Sequence, residues 1–136
     1  MKTLTQLQVG DSASFQKKIT DAEVKLFAQV SGDYNPVHLD EEYAAHTMFK
    51  QRIAHGGLIS ALFSTILGTT LPGEGTIYLE QNSRFVRPVH LNDTITAEVK
   101  VETIDKVKGR VTLKTTAFNQ LGEPVVVGHA LVMPPR

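Results

Sequence analysis

The apolar and polar positions change period twice along the chain. Residues 13–19 alternate loosely, as a half-exposed strand does. Val24, Phe27, Ala28 and Val30 then recur at helical spacing behind Thr20-Asp21-Ala22-Glu23. That tetrad reads as a capping box: the Thr20 hydroxyl accepts from the Glu23 amide, and the Glu23 carboxylate reaches back. Ser31-Gly32-Asp33-Tyr34-Asn35-Pro36 closes the helix, since Gly32 suits a helix C-terminus and Pro36 cannot continue one. A short helical turn is expected over 40–46. Leu58, Ile59, Ala61, Leu62, Phe63, Ile66 and Leu67 follow Gly56-Gly57 and wrap most of the way round a helix over 58–68, which should therefore be buried on nearly every side. From there the pattern is all strand. Segments 76–86, 94–104, 109–118 and 124–132 are rich in β-branched residues, and 111–115 alternates by strict period two. Asn92-Asp93, Lys108-Gly109 and Gly122 mark turns short enough for an antiparallel meander.

An apolar helix about 20 Å long needs a surface around it, and four or five antiparallel strands can curl to supply one. The expected architecture is therefore α+β, an antiparallel β-sheet wrapped around a long central helix, in a single domain over residues 1–136. Such a sheet has open edges, which self-association would cover. Composition narrows the chemistry. The absence of cysteine excludes disulfides, thiolate catalysis and Cys-based metal sites. A formal net charge of zero, with no run of like charge, predicts neither a nucleic-acid nor a membrane-surface partner. The stretch 58–67 is too short and too polar to cross a bilayer, and the first residues lack the apolar core of a secretory signal. A cytoplasmic setting is the expectation.

The segment Ser31-Gly32-Asp33-Tyr34-Asn35-Pro36-Val37-His38-Leu39-Asp40 carries the most chemical information. It sets a carboxylate and an imidazole close in sequence across an Asn-Pro turn whose backbone is restricted. A rigid turn can aim Asp33 and His38 at one water, as acid/base chemistry requires. The same residues also suit an ordinary turn with a structural His. Arg52-Ile53-Ala54-His55-Gly56-Gly57-Leu58 is the second segment. Two glycines at the start of a buried helix admit either a ligand on the free, positive amides or simply a tight entry into the helix. His55 reads as structural. Ser60 and Ser64 share a helix face; each suits a bond back to its own helix, and Ser64 suits a bond to Asp33 or substrate. No G-x-S-x-G elbow surrounds either serine, the five histidines form no spaced metal motif, and no nucleotide-binding glycine loop occurs.

Taken together, these two segments resemble the MaoC-like (R)-specific enoyl-CoA hydratases. Phe85-Val86-Arg87-Pro88-Val89 and Asp93-Thr94-Ile95-Thr96-Ala97 fit the same family, so the resemblance runs over nearly the whole chain. It implies a hot-dog fold, a homodimer, an acyl-CoA thioester as substrate, no separate cofactor and no metal. The implied reaction is reversible syn hydration of trans-2-enoyl-CoA to (R)-3-hydroxyacyl-CoA. By position, Asp33 and His38 match the catalytic pair, Asn35 a residue that orients the site, Gly56 the amide donor to the thioester oxygen, and Ser64 a hydroxyl near the carboxylate. Gly57 departs from the family, where a larger apolar residue is expected. An acyl-thioester hydrolase, a 3-hydroxyacyl-carrier-protein dehydratase and a non-catalytic acyl-CoA binding module are the alternatives on the same fold.

Overall fold

Strand β1 (Ser12–Lys18) leads into helix α1 (Asp21–Ser31), and the expected capping box is present at Thr20, with both reciprocal bonds formed. Gly32 ends α1 in the left-handed region at φ 79°, as its lack of a Cβ allows. A computed structural model describes residues 1–136. Pro36, read as a helix stop, also starts a helix: it occupies the first turn of α2 (Pro36–Leu39), where a missing N–H costs nothing. Helix α3 (Glu41–Ala45) falls where a short turn was expected, and helix α4 (Gly56–Thr69) is the long apolar one. Four strands follow: β2 (Ile77–Phe85), β3 (Thr94–Asp105), β4 (Arg110–Phe118) and β5 (Pro124–Met133).

All five strands form one antiparallel sheet in the order β1-β3-β4-β5-β2. The expected meander thus holds only for β3, β4 and β5. Strand β2 pairs with β5, and the chain crosses the sheet through 86–93 to reach β3. That crossover is tied down by its backbone, not by a turn: Val86 donates to the Val125 carbonyl, and Val89 accepts from Ala54.

The sheet curls around α4. Ile95, Ala97, Val99 and Val101 of β3, with Val111, Leu113 and Ala117 of β4, turn a buried face toward Ile59, Phe63, Ile66 and Leu67 of the helix. Each Val, Leu, Ile and Phe among them contributes about 1.5–3 kcal/mol by leaving water, so this face holds the helix in place. Burial on every side, however, does not occur. Gly57, Ala61, Ser64 and Gly68 follow one another along one face of α4, and that face is exposed. No helix is long and apolar enough to cross a membrane.

Gly128 marks the tightest backbone approach in the sheet. A Cβ there would lie 2.0 Å from the Asn82 carbonyl oxygen of β2, a contact no rotamer change relieves. Gly128→Ala is expected to lower the melting temperature by roughly 4–15 °C, the effect of an overpacking cost of about 1–3 kcal/mol in a domain of this size. Differential scanning calorimetry reads this directly, and an unchanged melting temperature would show that β2 yields freely.

Candidate active site

The site begins with side chains binding their own backbone. The Ser31 hydroxyl donates to the Phe27 carbonyl (2.6 Å) and accepts from the Asp33 amide (3.1 Å). One Asp33 carboxylate oxygen accepts from the Asn35 amide (3.1 Å), and the Asn35 side-chain oxygen accepts from Val37 (3.2 Å), capping α2. These local bonds hold the turn between α1 and α2 in one shape. Asn35 is exposed and acts here as the cap that starts the helix bearing His38.

His38 is buried, at 8% exposure, and its Nδ1 lies 2.7 Å from the Ile53 carbonyl. A carbonyl only accepts, so Nδ1 carries the proton and Nε2 presents a bare lone pair. Burial is the largest influence on this imidazole and pushes its pKa below 6.5; the Ile53 carbonyl opposes it, His55 adds to it, and Asp33 opposes it. His38 is thus a neutral base at neutral pH. Arg52 locks its backbone from outside the site. The guanidinium donates to the His38 carbonyl (2.7 Å) and pairs with Asp21 of α1 (2.7 Å).

His55, read from sequence as structural, lies at the centre. It is 2% exposed, and its ring stacks on that of His38 with centroids 3.9 Å apart. Its Nε2 donates to the Asp33 carbonyl (3.0 Å), while Phe27 packs against it. One ligating atom each from Asp33, His38 and His55 falls within 4.8 Å of the others. Distance alone would admit a metal ion. One nitrogen of each ring is already engaged, His38 Nδ1 by the Ile53 carbonyl and His55 Nε2 by the Asp33 carbonyl.

A cavity of about 560 Å³ opens beside this cluster, with His38, Met48, Gly56, Gly57, Phe85 and Arg87 in its wall. Gly56 and Gly57 begin α4, so their amides have no acceptor in the helix, and none elsewhere takes them. A Cβ on Gly56 would come within 2.7 Å of the Phe85 ring, so any larger residue here must displace that ring. Gly57 has more room: a Cβ would stop 3.1 Å from the end of Phe27. Asp33 is exposed and stands next to His38 without forming part of the cavity wall. Ser64 stays apart from this group, exposed on α4 and with no hydrogen bond to Asp33. Its neighbour Ser60 spends its hydroxyl on Ser83 of β2 (2.9 Å).

A five-stranded antiparallel sheet around one long helix, with its site at the helix entry, defines a hot-dog-fold domain. The chain belongs to the family of the MaoC like domain, whose model matches residues 5–121. It is 46% identical to the (R)-specific enoyl-CoA hydratase of Aeromonas caviae over 95% of this chain and 96% of that one. The solved structure of the A. caviae (R)-hydratase involved in PHA biosynthesis superposes with a TM-score of 0.92, covering 95% of this chain and 98% of that one. The unliganded R-hydratase PhaJ1 of Pseudomonas aeruginosa gives the same TM-score at 49% identity, over 98% of this chain and 86% of that one. A 3-hydroxybutyryl-CoA dehydratase of Methylorubrum extorquens is 40% identical over 96% of this chain and 82% of that one.

The cap at Asn35 is separable from any role in chemistry. Asn35→Ala is expected to cost about 1 kcal/mol of stability, and Asn35→Asp, which also caps, to restore most of it. Urea unfolding checks this; equal stability of the alanine variant would mean that Pro36 alone sustains α2.

Proposed function

We propose that this chain catalyses reversible hydration of a trans-2-enoyl-CoA to the (R)-3-hydroxyacyl-CoA. The observation that carries the reading is that neutral His38 and Gly56, whose amide is free, line one cavity, with a carboxylate oxygen of Asp33 within 4.8 Å of a His38 ring nitrogen. Near-complete, 46% identity to an (R)-specific enoyl-CoA hydratase supports it.

The thioester carbonyl rests on the Gly56 amide at the positive end of α4, which draws electron density from C3. A water sits between His38 Nε2 and the Asp33 carboxylate. As its oxygen bonds to C3, His38 takes one proton, while Asp33 accepts a hydrogen bond from the O–H that stays on that oxygen as the C3 hydroxyl and stabilises the imidazolium. The new Nε2–H then protonates C2. Both groups lie on one side of the substrate, so water adds to one face and the stereochemistry is syn. Water and the thioester supply every atom, so the reaction needs no cofactor. Ser64 lies outside this set within the chain, and its proposed place is on the exposed face of α4.

That face and strand β2 are the proposed seam of a homodimer. Strand β2 is a sheet edge on which Ile77, Leu79 and Phe85 are all exposed. An unpaired apolar edge of this kind is best covered by its own symmetry mate.

Crotonyl-CoA should lose its enoyl absorbance on adding the protein, with no free thiol released to a thiol-reactive dye. Thiol release would mark a hydrolase, and unchanged absorbance a binding module. Asp33→Asn and His38→Ala should each lower kcat about a hundredfold or more, since positioned acid/base groups contribute about 10²–10⁴; near-normal turnover by either would remove that residue from the mechanism. The pH dependence follows from the lowered pKa of His38. The reaction needs the unprotonated ring, so the acid limb of kcat/KM should have its midpoint below 6.5, the usual imidazole value. A decline centred above 6.5 would contradict a buried neutral base.

A further inference from the structure

We propose that His55 is the positioning residue of this site: it locks Asp33 and His38 to each other. The inference rests on the hydratase reading of those two groups and deepens it. Three contacts carry it. His55 Nε2 donates to the backbone carbonyl of Asp33, so the imidazole holds the carboxylate's own residue. Its ring lies flat against the His38 ring, with centroids 3.9 Å apart, so the same side chain sets the plane of the base. Phe27 packs against the same ring, tilted, with centroids 4.9 Å apart. His55 is also the residue immediately before α4, so the amide of Gly56 is fixed by the same backbone.

The remaining atom is informative. With Nε2 donating, Nδ1 of His55 is a bare acceptor; it is fully buried and has no partner. Leaving a buried polar atom unpaired costs about 1–3 kcal/mol. An apolar ring would avoid that cost but would give up the bond to Asp33. The imidazole is retained where packing alone would favour a phenyl ring, which points to the Asp33 bond as its purpose.

The stacked His55 also disfavours a proton on the His38 ring. The other charged or titratable groups facing the pair are the Asp33 carboxylate, the Arg52 guanidinium at the His38 carbonyl with its partner Asp21, and Arg87 across the cavity. Of these only Asp33 favours a charged His38; His55 opposes it.

Two variants of the full-length protein separate positioning from bulk. Phenylalanine at this position (His55→Phe) keeps a stacked ring and removes the donor to Asp33. Glutamine (His55→Gln) places an amide N–H where Nε2 was. For enoyl-CoA hydration, His55→Phe is expected to lower kcat about tenfold or more with KM within about twofold, since positioned acid/base groups contribute about 10²–10⁴ when fully aligned. His55→Gln is expected to recover most of that loss. The acid limb of kcat/KM should move to higher pH in both variants, because the opposing imidazole is gone, and 15N-detected titration of the His38 ring should move the same way. Unaltered kcat and an unmoved acid limb in His55→Phe would overturn the proposal. So would equal losses in both variants that track a fall in melting temperature, since that outcome means packing only. The NMR titration needs no turnover. An inactive wild-type protein whose His38 titration still shifts in His55→Phe would therefore count against the hydratase reading while leaving the His38–His55 coupling intact.

Discussion

Three residues of backbone, Ile53-Ala54-His55, are the constraint on which the site depends. They are held from both sides. Ile53 donates to the Val37 carbonyl of α2 and accepts from His38 Nδ1, while Ala54 donates to Val89 of the crossover. Ile53 also bridges His90. The run thus works as a fragment of strand laid between α2 and the sheet crossover, and α4 begins at its end. A shift of this fragment would release the His38 tautomer, the Asp33 carbonyl and the Gly56 amide together. The backbone of Asp33, the His38 ring and the Gly56 amide are consequently tied to one fragment, the alignment that the proposed reaction requires.

The electrostatics follow from the same packing. Burial alone makes an imidazole reluctant to charge, and the bond to Ile53 decides which nitrogen is left bare. The exposed Asp33 favours a charged His38, so in the proposed reaction the ring can take a proton without leaving a buried cation unaccompanied. The free amides at the start of α4 face the cavity from another direction. In the proposed reaction, proton acceptor and electrophile stabiliser are therefore supplied by different elements, which meet only because the sheet fixes α4 where it does.

Much of this was legible in the sequence because the signals are local. The Thr20 capping box, Gly32 as a left-handed cap and the β-branched periodicity of 94–104 and 109–118 each express short-range physics, and each appears where expected. The pairing of β2 with β5 was not legible, since register across a crossover depends on contacts far apart in sequence. The uncovered face of α4 was missed because Gly57, Ala61, Ser64 and Gly68 lower the exposed side only slightly below the others in apolarity. His55 was undervalued for a similar reason. Its value comes from stacking on a residue in another helix, and spacing along the chain carries no trace of that. One signal was available: a His placed directly before a glycine pair that opens an apolar helix is an unusual choice of cap, since it makes no capping bond of its own.

The central claim is that one water is activated by Asp33 and His38 on a single side of an enoyl thioester held at the Gly56 amide. The stereochemistry of the product tests it most directly. Crotonyl-CoA hydrated in deuterium oxide, with the 3-hydroxybutyryl product analysed by NMR, is predicted to give a single diastereomer: 3R, with deuterium at C2 on the same face as the new C3 hydroxyl. Deuterium on the opposite face, or a mixture of the two, would contradict a water handled from one side.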